Sequence, residues 1–377
     1  MDFGFSDEQR DIRELARQIF SEQVTADRLR AYDEYAEPRF DRDLWQILVD
    51  AGLPALAVEE RYGGGGFGLM ELGLLLEEAG RSIAPLPLVS HCVGGLLPLQ
   101  RFGSDAQKER WLAPAARGDV LLTAALVEGG SGAHCLPELT TATREGEELV
   151  LTGRKLAVPY ASQADRILLA ARCDNEVALC WLDPSSSGVR LEPCQATSFE
   201  PQARLELESV RIPAADVLAW QGGASLLEWL VQRMTVALCC HQLGVADAAM
   251  RMAASYTAER QQFGVPVATF QAVGHRMANC YIDVECLRLA GYQACSLLAE
   301  EQPATLETRI AKVWAGDVGH RVSYATQHVH GGMGIDRDYP LWRYCLWLRH
   351  NEMTLGGSSA QLAAIGAGLA AGEGLFA

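Results

Sequence analysis

From the first residues, apolar side chains recur at helical spacing. Ile12, Leu15, Ala16, Ile19 and Phe20 follow a Ser6 and Gln9 pair with capping-box spacing, which predicts an amphipathic helix at the start of the chain. Asp41 to Ala51 and Gly68 to Ala79 continue the helical period, and the run Gly63 to Gly66 between them predicts a loop. From Asp119 to about Leu218 the period shortens. Apolar runs of strand length cover Leu121 to Val127, Leu149 to Thr152, Arg166 to Ala171 and Val177 to Leu182, while Leu205, Leu207, Val210 and Ile212 alternate with polar positions. Polar turns such as Ser185 to Gly188 separate these runs, so an antiparallel sheet is expected. After Gly222 and Gly223 the helical period returns, nearly free of breakers from Leu226 to about Gln262, a helix on the order of 50 Å long. Phe270 to Leu298, Leu306 to about Val329 and Trp342 to Leu369 add three more helices, enough for a four-helix bundle. The expected fold is α+β: an N-terminal α-helical domain (1–119), a middle antiparallel β domain (120–218) and a C-terminal four-helix bundle (219–377).

Composition narrows the class. At 377 residues the chain exceeds one ordinary core, and 49% hydrophobic with 21% charged residues is the balance of a globular protein. Its 48 acidic against 32 basic residues give a net charge of −16, which would repel nucleic acid and anionic membrane surfaces, so neither is expected as a partner. The 11 cysteines include no C-x-x-C pair and read as buried thiols of a reducing compartment. The N-terminus resembles no secretory signal, and no apolar run approaches the roughly 20 residues needed to span a bilayer. A cytoplasmic protein is expected.

Several motifs carry little chemistry. Gly63, Gly65 and Gly68 satisfy G-x-G-x-x-G, but no strand precedes them, so an inter-helix loop is the better reading. His328-x-His330 and Cys239-Cys240-His241 lack the partners of a recognised metal site, and no metal is expected. Ser131 has no nucleophile-elbow context. Two segments say more. Arg260, closing the long helix, offers a forked cation suited to a pyrophosphate, and Phe263 a flat face suited to an adenine or ribose edge; an ordinary helix end with a Gly-x-Pro turn is the alternative. In His330-Gly331-Gly332-Met333-Gly334, bare backbone can approach an anion, although a simple helix-breaking turn would look the same.

Together these segments resemble the acyl-CoA dehydrogenase family, in which Arg-x-x-Phe-Gly-x-Pro-x-x-x-Phe-Gln is followed later by His-Gly-Gly-x-Gly. The resemblance extends to the opening Phe3 to Gln9, the Gly63 to Gly66 loop, Phe102-Gly103 with Trp111-Leu112, and Leu151 to Lys155 running to Arg166. It implies an FAD flavoprotein, usually tetrameric, that removes two hydrogens from an acyl-CoA thioester: a Glu carboxylate takes the α-proton while the β-hydrogen leaves as hydride to the flavin. Electron-transferring flavoprotein is the implied acceptor. The implied FAD contacts on this chain are Arg260, Gln262, Phe263, Gln271, His328, Gly331 and Gly332, which in the family reach a neighbouring subunit's cofactor.

The chain departs from the family on the flavin side. Where the family reads Thr-Glu-Pro-x-Ala-Gly-Ser-Asp, this sequence has Val127 to His134, with Val127 and Ala133 lacking the hydroxyls; where it reads Trp-Ile-Thr or Trp-Ile-Ser, this sequence has Ala157-Val158-Pro159. The usual C-terminal catalytic Glu is replaced by Gly356, and the alternative position on the long helix, near Met234, is apolar. Glu352 is the nearest acid, and Glu228 a weaker candidate. The loss of one half of the site with retention of the other resembles the paired subunits of heterotetrameric (α2β2) bacterial acyl-CoA dehydrogenases, several of which act in steroid side-chain breakdown. The leading expectation is a subunit that completes an FAD site with a related partner chain. The alternatives are a self-sufficient enzyme with a relocated base, and a non-catalytic acyl-CoA-binding or scaffold protein.

Overall fold

The computed structural model describes residues 4–33, 38–130 and 135–372. Helices before the sheet are α1 (Asp7–Gln23), α2 (Ala26–Arg30), α3 (Arg42–Asp50) and α4 (Leu69–Ser82), followed by a π-helical stretch, Val89–Leu96, that leads into α5 (Leu97–Phe102). Then come α6 (Asp105–Gln107), a second π-helical turn, Lys108–Leu112, and α7 (Ala113–Ala116). After the sheet follow α8 (Gly223–Glu259), α9 (Gln271–Ala299), α10 (Thr305–His330), α11 (Leu341–Met353) and α12 (Ser358–Ala370). The Gly63 to Gly66 loop lies between a 3-10 turn and α4, with no strand before it among the described residues. The chain divides into two compact units: Met1–Leu29, Gly73–Ala84 and Thr235–Ala377 form one, and Arg30–Leu72 with Pro85–Met234 the other.

The second unit holds the sheet. Its strands are β1 (Leu122–Ala125), β2 (Thr141–Glu145), β3 (Glu148–Pro159), β4 (Arg166–Cys173), β5 (Glu176–Leu182), β6 (Val189–Gln195), β7 (Pro201–Pro213) and β8 (Val217–Ala219), in the order β6-β7-β3-β2-β4-β5-β8 with β1 also on β4. The sheet is mixed, which corrects the antiparallel expectation. β1 and β2 both run parallel to β4, Leu122 opposite Arg166 and Thr141 opposite Arg172, while the remaining pairs are antiparallel. Alternation of apolar and polar residues specifies which face a side chain takes, but it is the same for either strand direction. Leu149, Leu151, Ile167, Leu169, Leu205 and Val210 form the solvent-free centre of this unit. Two bulges interrupt β3 against β7, one at Gly153 (φ 148°) and one between Lys155 and Val158, where Ala157 is left-handed (φ 49°).

In the same unit β1 packs directly on the π-helical stretch. A Cβ on Gly95 would stand 2.3 Å from Leu122 Cβ, so only glycine allows the approach. Gly94 lies beside Met234, whose flexible end would stand 3.3 Å from a Cβ there and could give by a few tenths of an ångström.

In the first unit, the capping box that opens α1 is formed on both sides: Gln9 N–H donates to Ser6 Oγ (3.2 Å) and Ser6 N–H to Gln9 Oε1 (3.0 Å). The α4–α8 crossing is set by glycines. A Cβ on Gly244 would lie 1.8 Å from Glu77 O, and one on Gly80 would lie 2.1 Å from His241 O, so the two backbones touch. Beside this crossing the buried carboxylates of Glu77 and Glu78 are ion-paired to Arg13, Arg17, Arg81 and Arg288 at 2.8–3.1 Å. The last expected helix, Trp342 to Leu369, is two. α11 and α12 are separated at Thr354 to Gly357 by a turn in which Leu355 (φ 56°) and Gly356 (φ 85°) are both left-handed, a reversal that an apolar period running straight through does not reveal.

Candidate functional site

At the end of α8 the backbone keeps one last helical bond, Arg260 N–H to Tyr256 O (2.8 Å), and then reverses. Gln261–Gln262 pair antiparallel with Val265–Pro266, Gln262 opposite Val265. The two turn residues, Phe263 (φ 55°) and Gly264 (φ 80°), are both left-handed, as a type I′ hairpin requires. Glycine takes that conformation freely; phenylalanine does so at a cost, and here its ring stands 93% exposed at the tip, edge-on to Phe270 with centroids 6.1 Å apart. Val267 N–H donates to Arg260 O (2.7 Å) and closes the loop. The Arg260 side chain is exposed, and among the described residues its guanidinium has no hydrogen-bond or ion-pair partner. Gln271, also exposed, opens α9, whose first turn receives no side-chain cap. Free amide donors and the helix dipole favour an anion there.

The second segment meets the first. α10 ends at His330, and Gly331 (φ 60°, ψ −134°) turns the chain away. Gly331 and Gly332 are exposed, with no atom within 4 Å of where a Cβ would stand. The buried His330 ring donates from Nδ1 to Thr326 O (2.7 Å), which leaves Nε2 to accept from the Tyr339 hydroxyl (3.1 Å). Burial lowers its pKa and keeps this neutral form. Tyr256, one helical turn before Arg260, stacks on the His330 ring at 4.3 Å. The Arg260 hairpin and the Gly331–Gly332 turn are thereby joined at one end of the bundle. His328 and Gln262 are exposed near these ends; the Gln262 side chain donates to Gln261 O (2.7 Å).

The sheet positions singled out in the sequence are of opposite character. Val127 is half-buried and bridged to Leu156, whose N–H donates to Val127 O (2.8 Å). Pro159 has no N–H, and its carbonyl accepts from the Thr123 hydroxyl (2.7 Å). Next to Val127, Glu128 is buried and accepts from Glu138, Leu139 and Thr140 N–H and from Lys155 Nζ (2.6 Å). Burial alone would raise its pKa, but Lys155 and the flanking donors overcome this and hold it at about 2. This pair, which no spacing in the sequence signals, ties residues 138–140 to β3. Ser131 to His134, including Ala133, lie outside the described residues, as does Phe3.

Gly356, where the resemblance places the family's base, offers only backbone. Glu352 ends an ion pair with Arg349, and His320 Nδ1 stands 3.9 Å from its carboxylate. The carbonyls of Asn351 and Glu352 accept from the buried Lys312 Nζ (2.8 and 3.0 Å), a lysine that burial lowers to about 8. Met234 is buried, and Glu228 is exposed with Gln232 as partner (3.3 Å).

The bundle end presents an exposed guanidinium, an exposed ring and bare glycine backbone, groups whose chemistry suits an anionic ligand with a flat apolar part. Residues 6–119 match the acyl-CoA dehydrogenase N-terminal domain and residues 221–370 the acyl-CoA dehydrogenase C-terminal domain. The chain belongs to the acyl-CoA dehydrogenase family, whose members are FAD-dependent flavoproteins acting on acyl-CoA. Acyl-CoA dehydrogenase FadE27 of Mycobacterium tuberculosis is 36% identical over 98% of this chain and 99% of its own. Of solved structures, the ChsE4–ChsE5 complex from Mycobacterium tuberculosis superposes with a TM-score of 0.92 at 36% identity, over 98% of this chain and 99% of that one. A variant of the Tcur3481–Tcur3483 steroid ACAD gives 0.91 at 38% identity, over 97% and 98%.

The donor set on this chain fits one side of FAD. Arg260, the open α9 terminus and the glycine backbone suit the pyrophosphate, and Phe263 suits the adenosine. The other side fits poorly: Val127, Ala157 and Pro159 bring neither a hydroxyl nor, at Pro159, an amide donor to a flavin edge.

Proposed function

We propose that this chain is one subunit of an FAD-dependent acyl-CoA dehydrogenase, contributing the pyrophosphate and adenine side of a shared FAD site and leaving the flavin side and the base to a related partner chain. The observation that carries the reading is the asymmetry of the site: Arg260, Phe263, Gln271, Gly331 and Gly332 stand exposed on the bundle, while Val127, Ala157, Pro159 and Gly356 offer no group for flavin or proton. When bound, FAD supplies the hydride acceptor for α,β-dehydrogenation. This chain's residues bind and orient it: Arg260 by its fork, Gln271 and the glycines by amide donors, Phe263 by its ring. Glu352, held by Arg349, serves structure. The three-domain division at 1–119, 120–218 and 219–377 is part of the proposal, as are a cytoplasmic α2β2 assembly and an electron-transferring flavoprotein acceptor. A steroid-derived acyl-CoA is the substrate class to test first, on the likeness to the Tcur3481–Tcur3483 protein.

The test is expression of the chain alone and together with a related acyl-CoA dehydrogenase chain, followed by a flavin absorbance scan and an acyl-CoA oxidation assay. The lone chain is expected folded, colourless and inactive, and the complex yellow and active with about one FAD per heterodimer. A yellow, active homo-oligomer with one FAD per chain would overturn the proposal.

A further inference from the structure

Arg260 and the Gly331–Gly332 turn belong to segments far apart in the chain, and among the described residues no backbone hydrogen bond runs directly from one loop to the other. What joins them is a cluster of three rings. Tyr256 comes from the last turns of α8, His330 from the last turn of α10, and Tyr339 from the segment after the glycine turn. Tyr256 lies nearly parallel to His330 (4.3 Å, 22°), Tyr339 is tilted against His330 (5.1 Å, 52°), and Tyr256 meets Tyr339 edge-on (6.1 Å). Polar contacts fix the rotation of the central ring: Nδ1 donates to Thr326 O one helical turn back, so Nε2 is the only acceptor left for the Tyr339 hydroxyl. The Tyr256 hydroxyl points to His330 O at 3.5 Å, the carbonyl that immediately precedes Gly331. Gly334 closes the turn from the other side, since a Cβ there would meet Gln327 O at 2.8 Å.

We infer that Tyr256, His330 and Tyr339 are positioning residues that hold the Arg260 hairpin and the Gly331–Gly332 turn in register as a single cradle for the FAD pyrophosphate. The inference rests on the FAD half-site proposed above. None of the three needs to touch the cofactor. A guanidinium fork and two exposed backbone segments bind a diphosphate well only when their spacing is set beforehand, because ordering two independent loops at the moment of binding costs affinity. The stack sets that spacing.

The experiment measures FAD affinity by flavin fluorescence on the apo complex with its partner chain, alongside the thermal midpoint of that apo complex. Tyr256→Ala and Tyr339→Ala are expected to weaken FAD binding about tenfold or more with the apo midpoint and assembly unchanged, the size of effect that loss of an aromatic pair and its preorganisation gives. Tyr256→Phe, which keeps the stack, is expected to restore affinity to within about twofold, and Tyr339→Phe, which keeps the ring but frees His330, to fall between. Unchanged affinity in both alanine variants, or no rescue by Tyr256→Phe, would overturn the positioning role. So would a loss of affinity that merely follows a lowered apo midpoint. Arg260→Ala in the same complex separates the two readings: if it too leaves FAD affinity intact, the half-site itself fails, whereas weakened binding in Arg260→Ala with normal binding in the tyrosine variants removes only the present inference.

Discussion

Glu352 lies in the last turn of α11 and Gly356 in the left-handed turn that follows it, and the difference in their surroundings decides what each can do. A general base has to reach the proton it removes with a carboxylate free to accept it. The Glu352 carboxylate is spent on Arg349 with His320 nearby, and its main-chain carbonyl on Lys312. Gly356 occupies a left-handed turn where a side chain would be strained. Glu352→Gln is therefore expected to leave kcat of the assembled enzyme within a few-fold of the parent. Loss of a working base would instead cost about 10²–10⁴-fold. Steady-state kinetics at equal flavin content reads the difference, and a collapse of kcat would return Glu352 to the role of base.

The element that most constrains the first unit is the α4–α8 crossing. Helices packed through larger side chains keep their axes about 8–10 Å apart; here Gly80 and Gly244 bring backbone against backbone. Nothing near Gly244 can give, because the obstructing atom is the Glu77 carbonyl inside another helix, and Glu77 itself is locked by arginines. Gly244→Ala should therefore destabilise the chain by about 2 kcal/mol or more, the cost of overpacking a rigid contact, despite alanine's better helix propensity. Urea titration of the purified variant measures this. A stability equal to the parent would mean that the helices can separate freely.

The stability of the whole molecule carries a second, titratable constraint at His91. The side chain is fully buried, its Nδ1 accepts from Leu122 N–H (3.1 Å), and its ring meets Trp45 edge-on at 5.1 Å. Burial lowers its pKa from 6.5 to about 4. Between those values the unfolded chain binds a proton that the folded chain refuses, so stability present above pH 6.5 is lost as the pH falls toward 4, by about 3 kcal/mol for a shift of this size. Glu128 adds to acid sensitivity at lower pH, since its folded value of about 2 lies below its ordinary 4.5. Unfolding free energy followed by urea denaturation across pH 7 to 4 should show the decline, and His91→Asn, which keeps an acceptor for Leu122, should flatten it. An unaltered slope in that variant would assign the decline to other groups.

Local chemistry was enough to specify much of this protein. The Ser6–Gln9 cap, the period of α8 to α10 and the face alternation of β7 each depend on residues a few positions apart, so spacing alone reveals them. The spaced motifs around Arg260 and Gly331 were legible for the same reason, and with them the family. What the sequence left undetermined depends on contacts between distant segments. Strand direction came from which edge of β4 was free for β1 and β2, because a period of two is blind to orientation. The π-helical stretch and the α4–α8 contact came from close approaches that glycine permits but does not announce. The break at Leu355 and Gly356 lay hidden inside a continuous apolar period. The two candidate loops meet where Tyr256 stacks on His330, rings 74 residues apart in the chain that have no local reason to meet.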